Sequence, residues 1–378
     1  MDFALTEEQK MLQNMVREFT KNEVEPIADE IDKSEEFPHE LMKRFKEMDL
    51  FGLPYPSEYG GNSMGYLAYV LAVEQLAQAS SVVAGWLGSQ CNCMEPIFLF
   101  GTEEQKKKYL IPLAQGEMLG SIAFSEPSTG SDPGAIETTA RLVGDEYVLN
   151  GQKRFITRAT VNQVEFTFAK TEDGRISAFI VDAHTPGYSV GPPWDKMGSH
   201  GSDTCDIYLD NVRVPKENMV GEQGQGYAIL LRAITSGKLG WAAQGIGMTQ
   251  RAMEEAIKYA KERIVRGRPQ AELLNTQELL ADMATSVEAI RLLTYKAAWL
   301  RDQGDDALKA VAMAKLFSAD ASVDAISKAM EVHGAYGYIS DFKVERLLRD
   351  ATLNKVIEGT VQIQRVIIAN HLLREYGG

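Results

Sequence analysis

The sequence predicts a mainly α-helical protein with a β domain in its middle. Apolar residues recur at helical spacing in the first third and again after residue 227, whereas short apolar runs separated by Gly, Pro and Asp fill the stretch between them. We therefore expect an N-terminal helical domain at residues 1–118, a middle β-barrel or sandwich domain at 119–226 and a C-terminal helical domain at 227–378.

The N-terminal segment carries several helix signals. Thr6 and Gln9 have the spacing of a capping box, as do Thr102 and Gln105, and a further helix is expected over residues 65–80. The first capped helix should bury one apolar face, made of Met11, Leu12, Met15, Val16 and Phe19.

The middle segment has the sequence pattern of β-strands. Runs of β-branched and aromatic residues predict strands at 146–151, 164–168, 178–181 and 206–209, and Asp173-Gly174 predicts a hairpin turn. Helical spacing returns after a glycine-rich loop at 221–226. No Pro- or Ser-rich linker separates the three blocks, so we expect one integrated unit.

Composition excludes several classes of protein. The chain has 39 basic and 53 acidic residues, and the basic residues are scattered, so nucleic acid is not expected as a partner. No window has the length and apolarity of a membrane span, and the N-terminal stretch MDFALTEEQK lacks the features of an export signal, which predicts a cytoplasmic protein without membrane insertion. Cys91, Cys93 and Cys205 are expected as buried, reduced thiols, and no metal site is expected.

Three short stretches are candidates for chemistry. They are FSEPSTGSD at 124–132, GQKRFIT at 151–157 and EGT at 358–360. Taken singly, the first is typical of a turn rich in capping residues and the last of a carboxylate that caps a helix.

In this order and spacing the three stretches resemble the acyl-CoA dehydrogenase family, of the medium- or short-chain type. Further similar stretches are GTEEQKKKYL at 101–110, LADMA at 280–284 and VERLLRDA at 344–351. The resemblance implies a C-terminal four-helix bundle and assembly as a homotetramer or homodimer. It also implies a flavoprotein that inserts a double bond beside a thioester carbonyl, with FAD as hydride acceptor and an electron-transfer flavoprotein as electron partner.

The resemblance also implies roles for individual residues. Glu358 falls on the position of the base that removes the α-proton, and its backbone N–H on a position that polarises the thioester oxygen. A carboxylate is a weak base for a carbon acid unless burial raises its pKa, and we expect Val356 and Ile357 to supply apolar surroundings. The implied cofactor contacts are Ile122, Ser125, Ser131, Phe155, Thr157, Arg263, Thr360 and Gln362, and the implied substrate contacts are Ser131, Lys238 and Gly359.

The chain departs from the family pattern where a neighbouring subunit normally meets the flavin. The usual R-x-Q-F-G reads RIVRG at 263–267, a usual Gln is Leu274, and the usual Q-x-x-G-G reads EVHGA at 331–335. In one interpretation FAD still binds, with Arg266 near a phosphate or the adenine. In the other, Glu331 repels the pyrophosphate and the chain is a flavin-free homologue with a lyase or binding role. The retained motifs around Ser125 and Glu358 favour FAD.

The substrate is less defined by the sequence. Lys238 replaces a family arginine, which keeps the charge but loses the planar fork. Gln90, Asn92 and Met94 fall on the expected wall of the acyl pocket, and the polar groups there indicate a short or functionalised acyl group. Two carriers remain open, coenzyme A and an acyl carrier protein of secondary metabolism, and the reaction is either dehydrogenation or the reverse reduction.

Two histidines and one tryptophan are expected to be structural. His200 and His333 have no partner that the sequence reveals, and Trp194 follows Pro192-Pro193 in what is expected to be a turn with a packing ring.

Overall fold

The computed structural model describes residues 4–377, so the outer limits of the predicted domains, residues 1 and 378, lie outside the described residues. The N-terminal segment is helical, as predicted. Its helices are α1 (Glu7–Phe19), α2 (Ala28–Ser34), α3 (His39–Glu47), α4 (Gly65–Ala77), α5 (Ser81–Phe100), α6 (Glu103–Gln105) and α7 (Ile111–Ala114).

Both predicted capping boxes are confirmed. The Thr6 hydroxyl accepts the Gln9 backbone N–H while the Gln9 side chain accepts the Thr6 N–H, and Thr102 and Gln105 repeat the arrangement before α6. The buried face of α1 is narrower than predicted. Leu12, Val16 and Phe19 are buried, but Met11 is 71% exposed and Met15 41% exposed, because only the stripe that faces α4 is covered.

Helices α4 and α5 form the centre of the N-terminal segment. Most of their residues are buried on every face, which is typical of a helix enclosed by other elements. A buried ion pair connects α5 to the C-terminal segment: the Arg301 guanidinium contacts the Glu95 carboxylate and lies 4.1 Å from the centre of the Tyr66 ring. The Tyr66 hydroxyl donates to the same carboxylate at 2.8 Å.

The middle segment forms one mixed sheet. Its strands are β1 (Gly120–Ala123), β2 (Thr139–Val143), β3 (Glu146–Thr157), β4 (Val164–Lys170), β5 (Ile176–Asp182), β6 (Tyr188–Val190), β7 (Thr204–Pro215) and β8 (Met219–Val220). Their order is β6-β7-β3-β2-β4-β5-β8, and β1 pairs in parallel with β4. The predicted hairpin is confirmed, since β4 and β5 are antiparallel and Gly174 adopts φ +75° in the turn between them.

The C-terminal segment consists of long helices and one small hairpin. Its elements are α8 (Gly226–Glu262), β9 (Ile264–Val265), β10 (Arg268–Pro269), α9 (Leu274–Asp302), α10 (Leu308–His333), α11 (Val344–Leu353) and α12 (Val361–Tyr376). Helix α8 packs against α4, α5, α9 and α10, so the two helical segments share a boundary.

One hydrophobic core crosses all three segments, as predicted for an integrated unit. It contains Val16 from α1, Phe166 from β4, Ala242 from α8 and Val311 from α10. Among the described helices none combines the length and apolarity needed to cross a membrane.

The buried ion pair between α5 and α9 makes a prediction about stability. Arg301→Met leaves the Glu95 carboxylate buried without its cation, and we expect the free energy of unfolding to fall by about 3 to 5 kcal/mol. Lys43→Met removes an exposed partner of Glu40 and should cost less than about 0.5 kcal/mol. Urea denaturation of both variants measures the difference, and equal losses would contradict it.

Candidate active site

Glu358 lies in the loop between α11 and α12, immediately before a helix begins. Glu358 has φ +52° and Gly359 has φ +80°, so two successive residues are left-handed. This conformation costs little for glycine but is strained for glutamate, and such strain persists only where the surroundings enforce it. Thr360 then caps α12, because its hydroxyl accepts the backbone N–H of Ile363 at 3.4 Å.

Two side chains hold this loop through its carbonyl groups. The buried Lys315 ammonium, on α10, donates to the carbonyls of Asn354 at 2.6 Å and Gly359 at 2.9 Å. The Gln364 amide, on α12, donates to the carbonyls of Glu358 at 3.1 Å and Gly359 at 2.8 Å. Residues of α10 and α12 therefore hold the loop in place.

The Glu358 carboxylate is enclosed by polar side chains from other elements. Asn92 Nδ2, on α5, donates to Glu358 Oε1 at 2.7 Å, and the ammonium groups of Lys238 and Lys315 act on the carboxylate as positive charges. Burial raises the pKa of Glu358 above its ordinary value, although Asn92 and the two lysines oppose the shift. Glu358 Oε2 is buried and has no hydrogen-bond partner among the described residues.

The surroundings of Glu358 differ from the prediction in one respect. Val356 is 61% exposed, so the expectation that Val356 would enclose the carboxylate was wrong. In this left-handed loop, closeness to Glu358 in the sequence does not bring Val356 over the carboxylate. Residues of α5, α8 and α10 surround the Glu358 carboxylate instead. The predicted rise in the pKa of Glu358 nevertheless holds, because burial by distant elements has the same effect.

Lys238 lies on α8, one residue after Gly237, and is buried near Glu358. Burial lowers its pKa to about 8, and the charge of Glu358 opposes that shift. Its ammonium group makes no hydrogen bond with any other group in residues 4–377. A charged donor without a protein partner is suited to hold a ligand atom.

The two motifs at the sheet come together around Phe155. The Arg154 N–H donates to the Ser125 carbonyl at 2.7 Å, which joins the FSEPSTGSD loop to β3. A β-bulge between Lys153 and Ile156 turns Phe155 outward, with φ +60° and 58% of the residue exposed. The predicted packing role of Trp194 is confirmed, because its ring lies 5.8 Å from the Phe155 ring and its indole N–H donates to Asp206 at 3.0 Å, although 44% of the residue is exposed.

These sheet residues fit a planar aromatic ligand. The Phe155 ring is exposed on a strained backbone, and the Ser125 hydroxyl makes no hydrogen bond with the rest of the described chain. Thr157 lies at the end of β3, and Ile122 lies in β1 beside β4. A flavin ring is such a ligand, and its heteroatoms would pair with a free hydroxyl.

Other predicted cofactor residues are more exposed or already engaged. Ser131 is exposed in the loop before β2, and Gln362 is exposed in the first turn of α12. The Thr360 hydroxyl serves as the helix cap described above. Gly359 lies next to Glu358 in the left-handed loop.

The divergent residues lie far from Glu358 within one chain. Arg263 follows the last turn of α8, and from Lys238 that helix runs about 36 Å to its end at a rise of about 1.5 Å per residue. Arg266 and Gly267 form the turn between β9 and β10, and Leu274 begins α9 with an exposed side chain. One chain therefore does not bring Arg263 to the same flavin ring as Glu358.

The remaining candidates have structural partners. Gln90 donates to the carbonyls of Leu113 and Met118 and accepts the Gly120 N–H, so its amide belongs to the scaffold and not to a pocket wall. His200 contacts Asp32, and the buried His333 contacts the Ala329 carbonyl. The three cysteines are free and buried, and burial raises the pKa of each thiol.

Sequence reasoning missed Lys315 and Gln364. A signal for Lys315 was present, since it shares the buried stripe of α10 with small and apolar residues, where a lysine needs a specific partner. Its partners are carbonyl groups of a distant loop, and no spacing in the sequence indicates them.

Sequence profiles of one family match nearly the whole chain. The N-terminal, middle and C-terminal domains of acyl-CoA dehydrogenases match residues 6–117, 121–212 and 224–373. The chain belongs to the acyl-CoA dehydrogenase family. The predicted family and fold class are thereby confirmed.

Curated acyl-CoA dehydrogenase relatives align over almost their full length. A 3-(aryl)acrylate reductase of Clostridium sporogenes is 42% identical over 98% of this chain and 99% of its own. A short-chain specific acyl-CoA dehydrogenase of Clostridium acetobutylicum is 40% identical over 99% of this chain and 100% of its own. The CarC subunit of a caffeyl-CoA reductase-Etf complex of Acetobacterium woodii is 40% identical over 98% and 99%. These names describe oxidoreductases that act on CH–CH bonds.

Solved acyl-CoA dehydrogenase folds superpose closely. Butyryl-CoA dehydrogenase from Megasphaera elsdenii has a TM-score of 0.97 and 35% identity, over 99% of this chain and 100% of that one. An acyl-CoA dehydrogenase from Bacillus anthracis in complex with FAD has a TM-score of 0.93 and 32% identity, over 98% and 68%. The prolyl acyl carrier protein oxidase AnaB has a TM-score of 0.94 and 31% identity, over 98% and 100%.

The role of Lys315 in holding the loop is testable. Lys315→Met removes both bonds to the loop carbonyls, and we expect amide hydrogen exchange at the hydrogen-bonded residues 355–357 to accelerate at least about tenfold, the effect of roughly 1.4 kcal/mol. Lys309→Met, on the same helix but paired with Glu375 at the surface, is the matched control. Unchanged exchange in the first variant would show that Lys315 does not hold the loop.

Proposed function

We propose that the protein is a flavin-dependent enzyme that dehydrogenates a short or functionalised acyl-CoA, or reduces the corresponding enoyl-CoA, with Glu358 as the α-proton base. The observation that carries this proposal is the buried Glu358 carboxylate, with one oxygen bonded to Asn92 and the other unpartnered, in a loop held by Lys315 and Gln364.

The two carboxylate oxygens have different tasks in this proposal. Oε1 accepts the hydrogen bond from Asn92, so Oε2 is the atom available to take the α-proton. Burial favours this transfer because it raises the basicity of the carboxylate. In the reverse direction the protonated Oε2 returns the proton to the α-carbon.

The loop also offers a donor for the thioester oxygen. The left-handed conformation leaves the Glu358 N–H without an acceptor in the described part of the chain. A hydrogen bond from this N–H would stabilise the negative charge that develops on the thioester oxygen, an effect worth a few kcal/mol at about 3 Å. Gly359 keeps the adjacent surface free of a side chain, and Lys238 supplies a positive charge at the same end of the site.

Bound FAD supplies the acceptor of the β-hydride, at flavin N5. We propose that Phe155 and Thr157 flank its ring, that Ile122 and Ser125 meet the ring edge, and that Ser131, Thr360 and Gln362 lie along the rest of the cofactor. The exposed Phe155 ring and the unengaged Ser125 hydroxyl support this arrangement. The same proposal gives Ser131 a second contact with substrate.

Arg263 enters the proposal through a second subunit. Its distance along α8 from Lys238 supports a contact with the FAD of a second subunit, in a homodimer or homotetramer. A groove of about 730 Å³ between α9, α10 and α12 supports assembly, because its lining combines apolar side chains with a few charged ones, as interfaces between subunits do. The large apolar side chains are Leu293, Met313, Leu316, Phe317 and Ile368, and the charged ones are Asp320, Asp324 and Arg365. We also propose a cytoplasmic location, an electron-transfer flavoprotein as partner, and domain boundaries near residues 118 and 226.

An acyl carrier protein is the second candidate for the thioester carrier. The observation that favours it is the close likeness to the carrier-protein oxidase AnaB. The chemistry at Glu358 is the same in both cases. Turnover of one acyl group presented on each carrier distinguishes them.

The visible spectrum of the purified protein tests the cofactor. We expect flavin bands to be present, or to be gained on adding FAD, with one flavin per chain after removal of excess. Ser125→Ala should weaken FAD binding several-fold, the loss of about one hydrogen bond. A protein that gains no flavin bands at saturating FAD would be the flavin-free homologue that Glu331 and Leu274 suggest.

Glu358→Gln tests the base. We expect anaerobic bleaching of the flavin by butyryl-CoA or 3-phenylpropionyl-CoA to slow by at least about 10³-fold, because the amide does not accept the α-proton. The flavin bands themselves should remain. Glu40→Gln, which removes an exposed carboxylate on α3, far from the Glu358 loop in the sequence, is the matched control. Undiminished bleaching in Glu358→Gln would place the base elsewhere.

A further inference from the structure

We propose that Asn92 is a positioning residue that keeps the Glu358 carboxylate ionised and oriented in the free enzyme, and that Gly237 provides the space for the Asn92 amide. This inference rests on the proposed role of Glu358 as base. It concerns two residues, on α5 and α8, that do not belong to the Glu358 loop itself.

The Asn92 amide has one hydrogen-bond partner in the described residues. Asn92 is only 3% exposed, and Nδ2 donates to Glu358 Oε1 at 2.7 Å, while Oδ1 is buried and unpartnered. Gln90, two residues earlier on the same helix, connects three backbone groups instead. A buried amide with a single bond adds less to packing than an apolar side chain of similar size, so the interaction with Glu358 is its specific effect.

Gly237 lies against this amide where α8 crosses α5. A Cβ atom at position 237 would lie 2.5 Å from both Nδ2 and Oδ1 of Asn92, closer than any ordinary contact. Any side chain there would displace the amide from Glu358. Because Lys238 is the next residue, one turn of α8 supplies both the space for the amide and a cation near the carboxylate.

The Asn92 bond is distinct from the other charges near Glu358. Lys238 on α8 and Lys315 on α10 face the carboxylate, and both lower its pKa through their charge. Tyr69 on α4 also faces it, but burial raises the pKa of Tyr69 well above its ordinary value, so the phenol stays neutral and donates to the Ser236 carbonyl at 3.3 Å. Within residues 4–377, only Asn92 donates directly to an oxygen of the Glu358 carboxylate.

The direction of the effect follows from the bond. A hydrogen bond donated to the ionised carboxylate stabilises that form and lowers the pKa of Glu358, so its removal raises the pKa. Hydrogen bonds to charged groups support a rise of about one unit. The protein without this bond would hold a protonated, inactive Glu358 at pH values where the native protein holds a base.

The experiment measures the pKa of Glu358 in the FAD-loaded protein by two methods. Infrared difference spectra against the corresponding Glu358→Gln protein isolate the carboxylic acid C=O band and titrate it without turnover. The pH dependence of flavin bleaching by low concentrations of butyryl-CoA gives the same pKa from the kinetics. The variants are Asn92→Ala, Asn92→Leu, Gly237→Ala and the double variant Asn92→Ala with Gly237→Ala.

We expect both Asn92 variants to raise the pKa of Glu358 by about one unit in both methods. Asn92→Leu keeps the branched shape of asparagine with slightly larger end groups and no donor, so it gives the result without a cavity. Gly237→Ala should raise the pKa similarly, because its Cβ displaces the amide, and should add nothing in the Asn92→Ala background, where the space is free. Ile97→Val, which makes a small cavity in the same helix, should leave the pKa unchanged.

Two results would overturn the inference. One is an unchanged pKa in Asn92→Leu, even if stability or KM changes. The other is an equal shift from Gly237→Ala with and without Asn92, which would remove the role of Gly237. Failure of the proposed function would give a different result. If Glu358 were not the base, substrate would still bleach the flavin of Glu358→Gln, whereas the infrared titration would still show that Asn92 changes the pKa of Glu358.

Discussion

The burial of one carboxylate is the constraint on which this site depends. An ionised carboxylate loses its hydration on burial, and here one amide hydrogen bond and the charges of two ammonium groups offset part of that loss. Each comes from a different helix, α5, α8 or α10. The N-terminal and C-terminal segments must therefore pack together before the surroundings of Glu358 exist, and the shared hydrophobic core supplies that packing.

A second requirement is the strained backbone at the start of α12. Glu358 occupies a left-handed conformation that glutamate does not favour, and the chain holds it by bonds to carbonyl groups from Lys315 and Gln364. The same conformation leaves the Glu358 N–H unpaired among the residues that the structure describes. The strained backbone, the unpaired N–H and the buried carboxylate thus belong to one short loop, and two buried polar side chains support that loop.

The candidate site combines motifs that lie in different parts of the chain. The sheet presents Phe155 through a β-bulge, and the FSEPSTGSD loop is joined to that bulge by backbone hydrogen bonding. The divergent hairpin at Arg263 lies at the far end of α8 and acts, in the proposed assembly, on a neighbouring copy. Within one chain, the retained and the altered motifs are therefore far apart along α8.

The sequence by itself determined the order of helical and β segments, both capping boxes and the hairpin at Gly174, and it indicated Glu358 as the candidate carboxylate, because these depend on short-range patterns and on motif spacing. It indicated Asn92 as a polar residue in an unusual place but not its partner. Only the tertiary structure decided that Val356 faces solvent, that Gln90 belongs to the scaffold, and that Lys315 and Gly237 serve the Glu358 loop. The physical reason is that helix crossings bring together residues more than a hundred positions apart, and no local pattern records which side chains meet there.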